Sequence, residues 1–273
     1  MRTDKSDSVA SGARIDGAGV FNTLVDMRAL ASVGRTFFLV LAVILFGCRP
    51  SSKMDNGLDR ARRLADDGKY EEALQEHISF HDNILTTQPS MYGVRLSFAL
   101  SEWVELGQKY PKALAALKDV RDKKTVRLAG GETNRDLFHD VASINDHLSE
   151  QDKTVALFRK IVTTNPTFAR DVYDVAEEAL VQKREFALAR EYMGDPGRIL
   201  DRAKTNYERS MAWAKRQTQK RASEEAFRNI FTDDVVRLIL ILKNTGDEAS
   251  ARKIQAEALQ VVADDKIKNA LEP

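Results

Sequence analysis

Asp67-Gly68-Lys69-Tyr70-Glu71-Glu72-Ala73-Leu74 lies between two stretches of helical periodicity and decides how they meet. With Ala61 and Leu64 upstream it makes one ordered pattern: small residue, large apolar residue, tight turn, aromatic, small residue. Small residues at such positions let two helices approach closely, and the large ones fill a neighbouring unit. Working outward, the same order is weaker at Trp103, Gly107, Tyr110, Ala113 and Leu117. It fades at Leu148, Val155, Leu157 and Phe158, and again at Ala176, Leu180, Phe186 and Ala189, then returns at Leu242, Gly246, Ala251, Ile254 and Ala258.

The punctuation agrees with helices throughout. Pro89, Pro111, Pro166 and Pro196 fall between apolar-periodic stretches, as expected of a residue without the amide that a helix interior needs. Gly68, Gly107, Gly194 and Gly246 fall at similar breaks. The periodicity predicts helices at about 57–67, 70–86, 91–107, 111–124, 133–149, 152–164, 168–183, 185–193, 198–219, 222–244 and 248–262. The Val235–Leu242 run has the composition of a buried strand, but helical neighbours on both sides leave a strand nothing to pair with, so it is read as helix.

The pattern resembles the tetratricopeptide repeat family. In the best match, Gly68 takes the turn between helices, Tyr70 packs under it, and Ala73 is the close-contact position of the second helix; Asn244-Thr245-Gly246-Asp247-Glu248-Ala249-Ser250-Ala251 is the second-best match. The family repeats every ~34 residues. Here the intervals are 40 from Ala73 to Ala113, 42 to Val155, 34 to Ala189 and 62 to Ala251, so one interval has the family's period. The resemblance covers roughly 57–265 and implies an all-α, TPR-like α-solenoid: a right-handed stack of antiparallel helix pairs whose concave face binds other proteins.

Ahead of the repeats stands a different kind of segment. Arg35 precedes the ten-residue apolar run Phe37–Phe46, and Gly47 and Cys48 follow it. A short basic head, about ten apolar residues and a small residue before a cut describe an export signal. A membrane-spanning helix needs roughly 20 apolar residues, about twice this run. Leu45-Phe46-Gly47-Cys48 resembles a bacterial lipoprotein lipobox, with leucine three residues and glycine one residue before the cysteine. The resemblance implies cleavage between Gly47 and Cys48, lipid on Cys48, and anchorage to a cell-envelope membrane on its periplasmic or extracytoplasmic face. Arg49 is not the aspartate that signals inner-membrane retention in enteric-like bacteria, so the resemblance leans toward the outer membrane.

The chain thus divides into 1–26, without apolar period; a signal at 27–47; a polar tether at 48–56; helical repeats at 57–193; a basic helical insertion at 194–221; and a last repeat unit at 222–273. Residues 1–47 hold five of the 42 basic and four of the 41 acidic side chains, so 37 of each remain and the processed chain has no net charge. Nothing global draws it to nucleic acid. Cys48 is the only cysteine, which excludes an internal disulfide.

No pattern of catalysis stands out. Neither a nucleophile elbow nor a phosphate loop is present, and Gly130-Gly131 reads as a loop before a helix capped by Thr133 or Asn134. His77 and His81 share a helix face at i and i+4, but a metal site needs three or four ligands and no third appears, so neither a metal nor any other cofactor is expected. His139 and His147 have no partner motif. Glu71-Glu72, Asp140 with Asp146, Glu177-Glu178 and Asp233-Asp234 read as solvated helix faces.

From Arg198 to Arg221, eight basic residues face Asp201 and Glu208, an excess of six positive charges, with Tyr207, Met211 and Trp213 interleaved. This is the composition of a basic amphipathic helix that can touch anionic headgroups or an acidic partner, or of a solvated face packed on the repeats. The expected role is a non-catalytic protein-interaction scaffold in the cell envelope. The alternatives are an envelope enzyme or enzyme accessory with an unrecognised site, and a solute- or lipid-binding lipoprotein. Candidate interaction residues are Arg62, Asp66 and Glu102 by repeat position, and Arg202, Lys204, Arg209, Trp213, Lys215 and Arg216 in the basic stretch. An ordinary signal would begin at Met27, because the residues before it carry scattered charges among Gly and Ser. N-terminal sequencing of the unprocessed precursor is expected to read Met27-Arg28-Ala29-Leu30; a precursor that starts at Met1 contradicts this.

Overall fold

In a computed structural model the described residues are 57–272, apart from 217 and 219, and they are helical throughout, with no strand among them. The signal, Gly47, Cys48 and the tether lie outside the described residues. In chain order the helices are α1 (Gly57–Asp66), α2 (Tyr70–Thr87), a 3-10 turn (Pro89–Met91), α3 (Tyr92–Leu96), α4 (Phe98–Lys109), α5 (Pro111–Ala129), α6 (Arg135–His147) and α7 (Gln151–Thr164). They continue with α8 (Pro166–Gln182), α9 (Phe186–Met193), α10 (Pro196–Ala214), α11 (Lys220–Asn244), α12 (Glu248–Val261) and α13 (Asp265–Asn269). No helix among the described residues is long and apolar enough to cross a membrane.

Two kinds of turn join the helices: the first closes four of the five pairs, and the second closes the α4–α5 pair and opens two connections between pairs. α1, α6, α8 and α11 each end on a residue in the left-handed region: Gly68 (φ 75°), Ser149 (φ 56°), Arg184 (φ 59°) and Gly246 (φ 81°). In every case the next amide reaches back to the carbonyl five residues earlier: Lys69 to Leu64 at 2.8 Å, Glu150 to Asn145 at 2.7 Å, Glu185 to Leu180 at 2.8 Å, and Asp247 to Leu242 at 3.0 Å. This bond satisfies a carbonyl orphaned at the helix end and starts the next helix one residue later. The second kind of turn uses an extended residue before proline. Gln88, Tyr110 and Asn165 have φ between −134° and −150°, and Pro89, Pro111 and Pro166 open the following element. Proline's missing amide costs nothing there, and its steric demand keeps the preceding residue extended.

The contacts follow. α1 packs on α2, α4 on α5, α6 on α7, α8 on α9 and α11 on α12. The first helices also touch in sequence, α1 to α4, α4 to α6, α6 to α8 and α8 to α11, while α2, α5, α7 and α9 each pack on the first helix of the next pair. Ala61, Ala73, Ala113, Ala189 and Ala251 are all buried at these crossings. Gly107 is held to glycine by the crossing of α4 and α5, since a Cβ there would lie 2.9 Å from that of Leu114. Trp103, buried in α4, donates its indole N–H to the Ala113 carbonyl at 2.9 Å.

The structure departs from the sequence reading in four places. The helix expected over 91–107 is broken at Ser97, whose hydroxyl donates back to the Gly93 carbonyl at 2.7 Å and whose backbone leaves helical geometry. The helix expected at 111–124 runs on to Ala129, and α13 was not anticipated. In the middle of the chain the close-contact position is Thr154, five residues past the left-handed Ser149 as Ala73 is past Gly68, and not Val155. Asn145, buried where the other pairs have leucine, donates to the Thr154 hydroxyl at 3.0 Å and accepts from buried Arg121 at 2.8 Å. A polar contact has replaced the apolar one, which is why the pattern fades there.

Ser149 adopts a conformation that glycine reaches without strain, and for other L-residues that conformation costs about 1–2 kcal/mol. Glycine's greater freedom in the unfolded chain offsets part of the gain. Ser149→Gly is therefore expected to stabilise the fold by up to about 1 kcal/mol, and Gly246→Ser to destabilise it by a similar amount. Urea unfolding of both variants, read by circular dichroism, checks the pair of opposite signs.

Candidate interaction groove and the buried polar cluster behind it

The first helices line a groove. Arg135, His139, Ser143 and Asp146 come from α6, Asp174, Glu177 and Glu178 from α8, and Asp234 and Arg237 from α11, around a volume of about 450 Å³. Gln151 and Thr154 of α7 close one end. The spacing from 135 to 139, 143 and 146 is that of one helix face, and 230, 234 and 237 repeat it on α11.

Five carboxylates stand against two arginines in this lining. Arg135 clamps Asp174 with two parallel bonds of 2.7 and 2.6 Å and also donates to the Asp171 carbonyl. Arg237 donates to Asp234 and, at 3.4 Å, to Glu177. Both cations are thus engaged within the groove walls. Among the described residues, the Asp146 carboxylate accepts only a side-chain amide proton, from Gln151 at 3.0 Å, and Glu178 likewise from Gln182 at 3.1 Å. Burial pushes the Glu178 carboxyl above its ordinary value against the pull of Arg237, with Asp146 and Asp233 adding to the rise. Burial raises Asp234 as well, again against Arg237. Two of the five carboxylates, Asp146 and Glu178, thus have no cation bonded to them among the described residues.

Behind α6 lies a buried polar cluster. Arg95 of α3 clamps Asp140 at 2.6 and 2.7 Å and donates through Nε to the His81 carbonyl at 2.6 Å. Lys124 of α5 bonds the same carboxylate and sits 3.0 Å from His81 Nε2. Burial alone would raise Asp140, but the two cations outweigh it and hold the carboxyl below its ordinary value. The cluster ties α2, α3, α5 and α6 together. Tyr92 extends it to the groove rim, donating to Asp136 at 3.1 Å and lying 3.0 Å from His139 Nδ1.

His77 and His81 flank Trp103, with ring centroids 5.8 and 6.0 Å from the indole. They serve the packing between α2 and α4, and no set of three or more potential metal ligands converges among the described residues. Asp140 and Asp233, expected on solvated faces, are buried; Asp233 is held by Lys266 at 3.1 Å. A buried carboxylate needs a cation from a distant part of the chain, as Asp140 takes Arg95 and Lys124 and Asp233 takes Lys266, and local spacing does not reveal that cation.

The residues singled out from sequence do not form one site. Arg62 is bound by Glu102 at 2.6 Å and by Asp59 at 2.6 Å, linking α1 to α4, and Asp66 is exposed at the end of α1. Lys204 pairs with Glu257 of α12 at 2.9 Å and so holds α10 in place. Arg202, Arg209, Trp213, Lys215 and Arg216 are exposed on α10 and the turn after it, apart from the groove lining. No family model matches this chain, and neither a curated protein nor a solved structure matches it.

The two histidines give the fold a defined acid sensitivity. Burial, with Arg62 near, lowers the His77 imidazole to about 4; burial, with Arg95 and Lys124 near, lowers His81 to about 3. In the unfolded chain both titrate near 6.5, so below that pH the unfolded state binds more protons and stability falls. Unfolding free energy is expected to be level above about pH 7 and to drop between pH 6.5 and 4 by about 1.4 kcal/mol per unit for each neutral imidazole. His77→Leu, which fills the same packing position, is expected to remove its own share of that slope, less than half because burial also lowers His139 and His147, in denaturant titrations at successive pH values.

Proposed function

We propose that this chain is a lipid-anchored cell-envelope protein whose helix pairs stack as a tetratricopeptide-like solenoid and hold a protein partner along the α6–α8–α11 groove. The observation that carries the reading is the groove itself. Its walls come from the first helices of consecutive pairs, the arrangement that gives a helical-repeat protein its concave binding face. Its two arginines are already engaged with Asp174, Asp234 and Glu177, so the surplus carboxylates of Asp146 and Glu178 favour a segment that brings Lys or Arg. Charge complementarity of this kind selects a partner and speeds its capture more than it adds raw affinity.

The anchor part of the proposal rests on the Leu45–Cys48 lipobox resemblance. Lipid on Cys48 would confine the groove to the membrane surface, where the local concentration of envelope partners is high. In-cell cross-linking followed by mass spectrometry tests both parts at once. One or two dominant partners are expected for the native protein, lost or strongly reduced in Glu178→Lys/Asp146→Lys and in Cys48→Ser. Partners retained by the groove variant would remove the groove from the reading. Partners retained by Cys48→Ser would remove the anchor, and no partner above background would end the scaffold role.

A further inference from the structure

α10 carries a second surface that the groove does not use. One side of the helix is committed to the fold: Leu200 and Ala214 are buried, Tyr207 packs on Phe231 with centroids 5.2 Å apart, and Lys204 reaches Glu257. The opposite side is a single stripe. Arg198, Arg202, Arg209 and Trp213 are spaced by four, seven and four residues, which keeps them on one face over about 22 Å, and Arg216 follows in the closing turn. All four arginines are exposed, and none has a side-chain hydrogen bond or ion pair among the described residues. Asp201 and Glu208, the acids of this helix, lie off the stripe.

The aromatic member of the stripe decides the class of ligand. Trp213 is 38% exposed, one of two large hydrophobic side chains so placed among the described residues. Its indole meets Phe227 edge-on at 6.0 Å, and the two rings with Arg209 and Ser210 surround an open, mainly apolar hollow of about 280 Å³. An arginine fork suits a phosphate diester, and a tryptophan half in water suits the boundary between headgroup and acyl chain. Nucleic acid or an acidic protein would use the arginines but would leave the apolar hollow unfilled.

We infer that the α10 stripe docks flat on an anionic phospholipid surface, with Arg198, Arg202, Arg209 and Arg216 on headgroup phosphates and Trp213 at the acyl boundary beside Phe227. This contact is separate from the proposed lipid on Cys48, and it would fix which side of the repeat stack faces the bilayer. Two contacts of moderate strength hold a protein on a membrane far longer than either alone.

The test uses the full chain carrying Cys48→Ser, so that a failed stripe and a failed anchor give different results. Vesicles of phosphatidylglycerol and phosphatidylcholine in a 3:7 ratio are compared with pure phosphatidylcholine by sedimentation. Binding is expected to favour the anionic vesicles at least tenfold, and Arg202→Glu/Arg209→Glu to lose about 25-fold or more of that binding, at about fivefold per arginine removed. The same charge change on exposed Arg170 and Arg252 is expected to cost much less. Tryptophan emission should shift to the blue on anionic vesicles, and Trp213→Phe should abolish the shift, because Trp103 is buried and its surroundings do not change. Equal partition to neutral vesicles overturns the inference, and so does equal loss in the Arg170/Arg252 control. Displacement of the vesicles by a polyglutamate peptide, or by a short oligonucleotide of the same charge, would assign the stripe to that ligand class instead.

Discussion

The backbone bond that closes four of the left-handed turns, from the amide after Gly68, Ser149, Arg184 or Gly246 to the carbonyl five residues earlier, is the constraint from which four of the helix pairs are built. It reverses the chain within three residues and leaves no slack in how the second helix meets the first. Once that angle is set, the residue five positions later must be small, or the two helices cannot close. Ala73, Ala189 and Ala251 obey this, and Thr154 obeys it with a hydroxyl that Asn145 then uses. Prolines after extended residues open the connections at Pro89 and Pro166 between pairs, and Pro111 makes the reversal from α4 to α5, so that α1, α4, α6, α8 and α11 stand in one row.

That row explains why polar side chains can be buried here without loss of order. Arg95, Lys124 and Asp140, and separately Arg121 with Asn145 and Glu150, bridge neighbouring helices with most of their donors and acceptors used. A carboxylate and a guanidinium withdrawn from water are costly unless paired in good geometry, and here the pairing is bidentate or shared by two cations. Such clusters contribute register more than net stability. A helix that slid by one turn would leave a buried charge alone.

Much of this was legible in the sequence. Helix positions could be read because apolar residues recur with a helical period and because proline and glycine stand only at breaks. The first and last pairs could be read because glycine occupies Gly68 and Gly246. The pair around Ser149 could not be registered, since Ser149 takes the left-handed conformation without glycine and Asn145 stands where the neighbouring pairs have leucine; at Arg184, also not a glycine, Leu180 and Ala189 still carried the pattern. The groove was illegible for the same reason. Arg135, Asp174, Glu178 and Asp234 look like ordinary surface charges until α6, α8 and α11 are known to stand side by side. The outward stripe on α10 needed less, since one helix alone carries it. Its neighbour Lys204 shows the limit: the same residue type, two positions after Arg202, belongs to an internal ion pair.

The apolar interior is divided. Leu58, Phe80, Ile84 and Ala99 form a small patch at the N-terminal end, a second group gathers around Trp103, and the large remainder runs from Leu128 to Ala270. Contacts join mostly near neighbours in the chain, so ordering can begin in the large C-terminal body and spread one pair at a time. Opening would run in the reverse direction. α1 and α2 hold most of the smallest apolar group, so a pull applied through residue 57 would peel them first while α6 to α12 stay folded. The described chain thus has a compliant end and a stiff end, and the end that yields is the one that would take the tension from the proposed lipid anchor on Cys48.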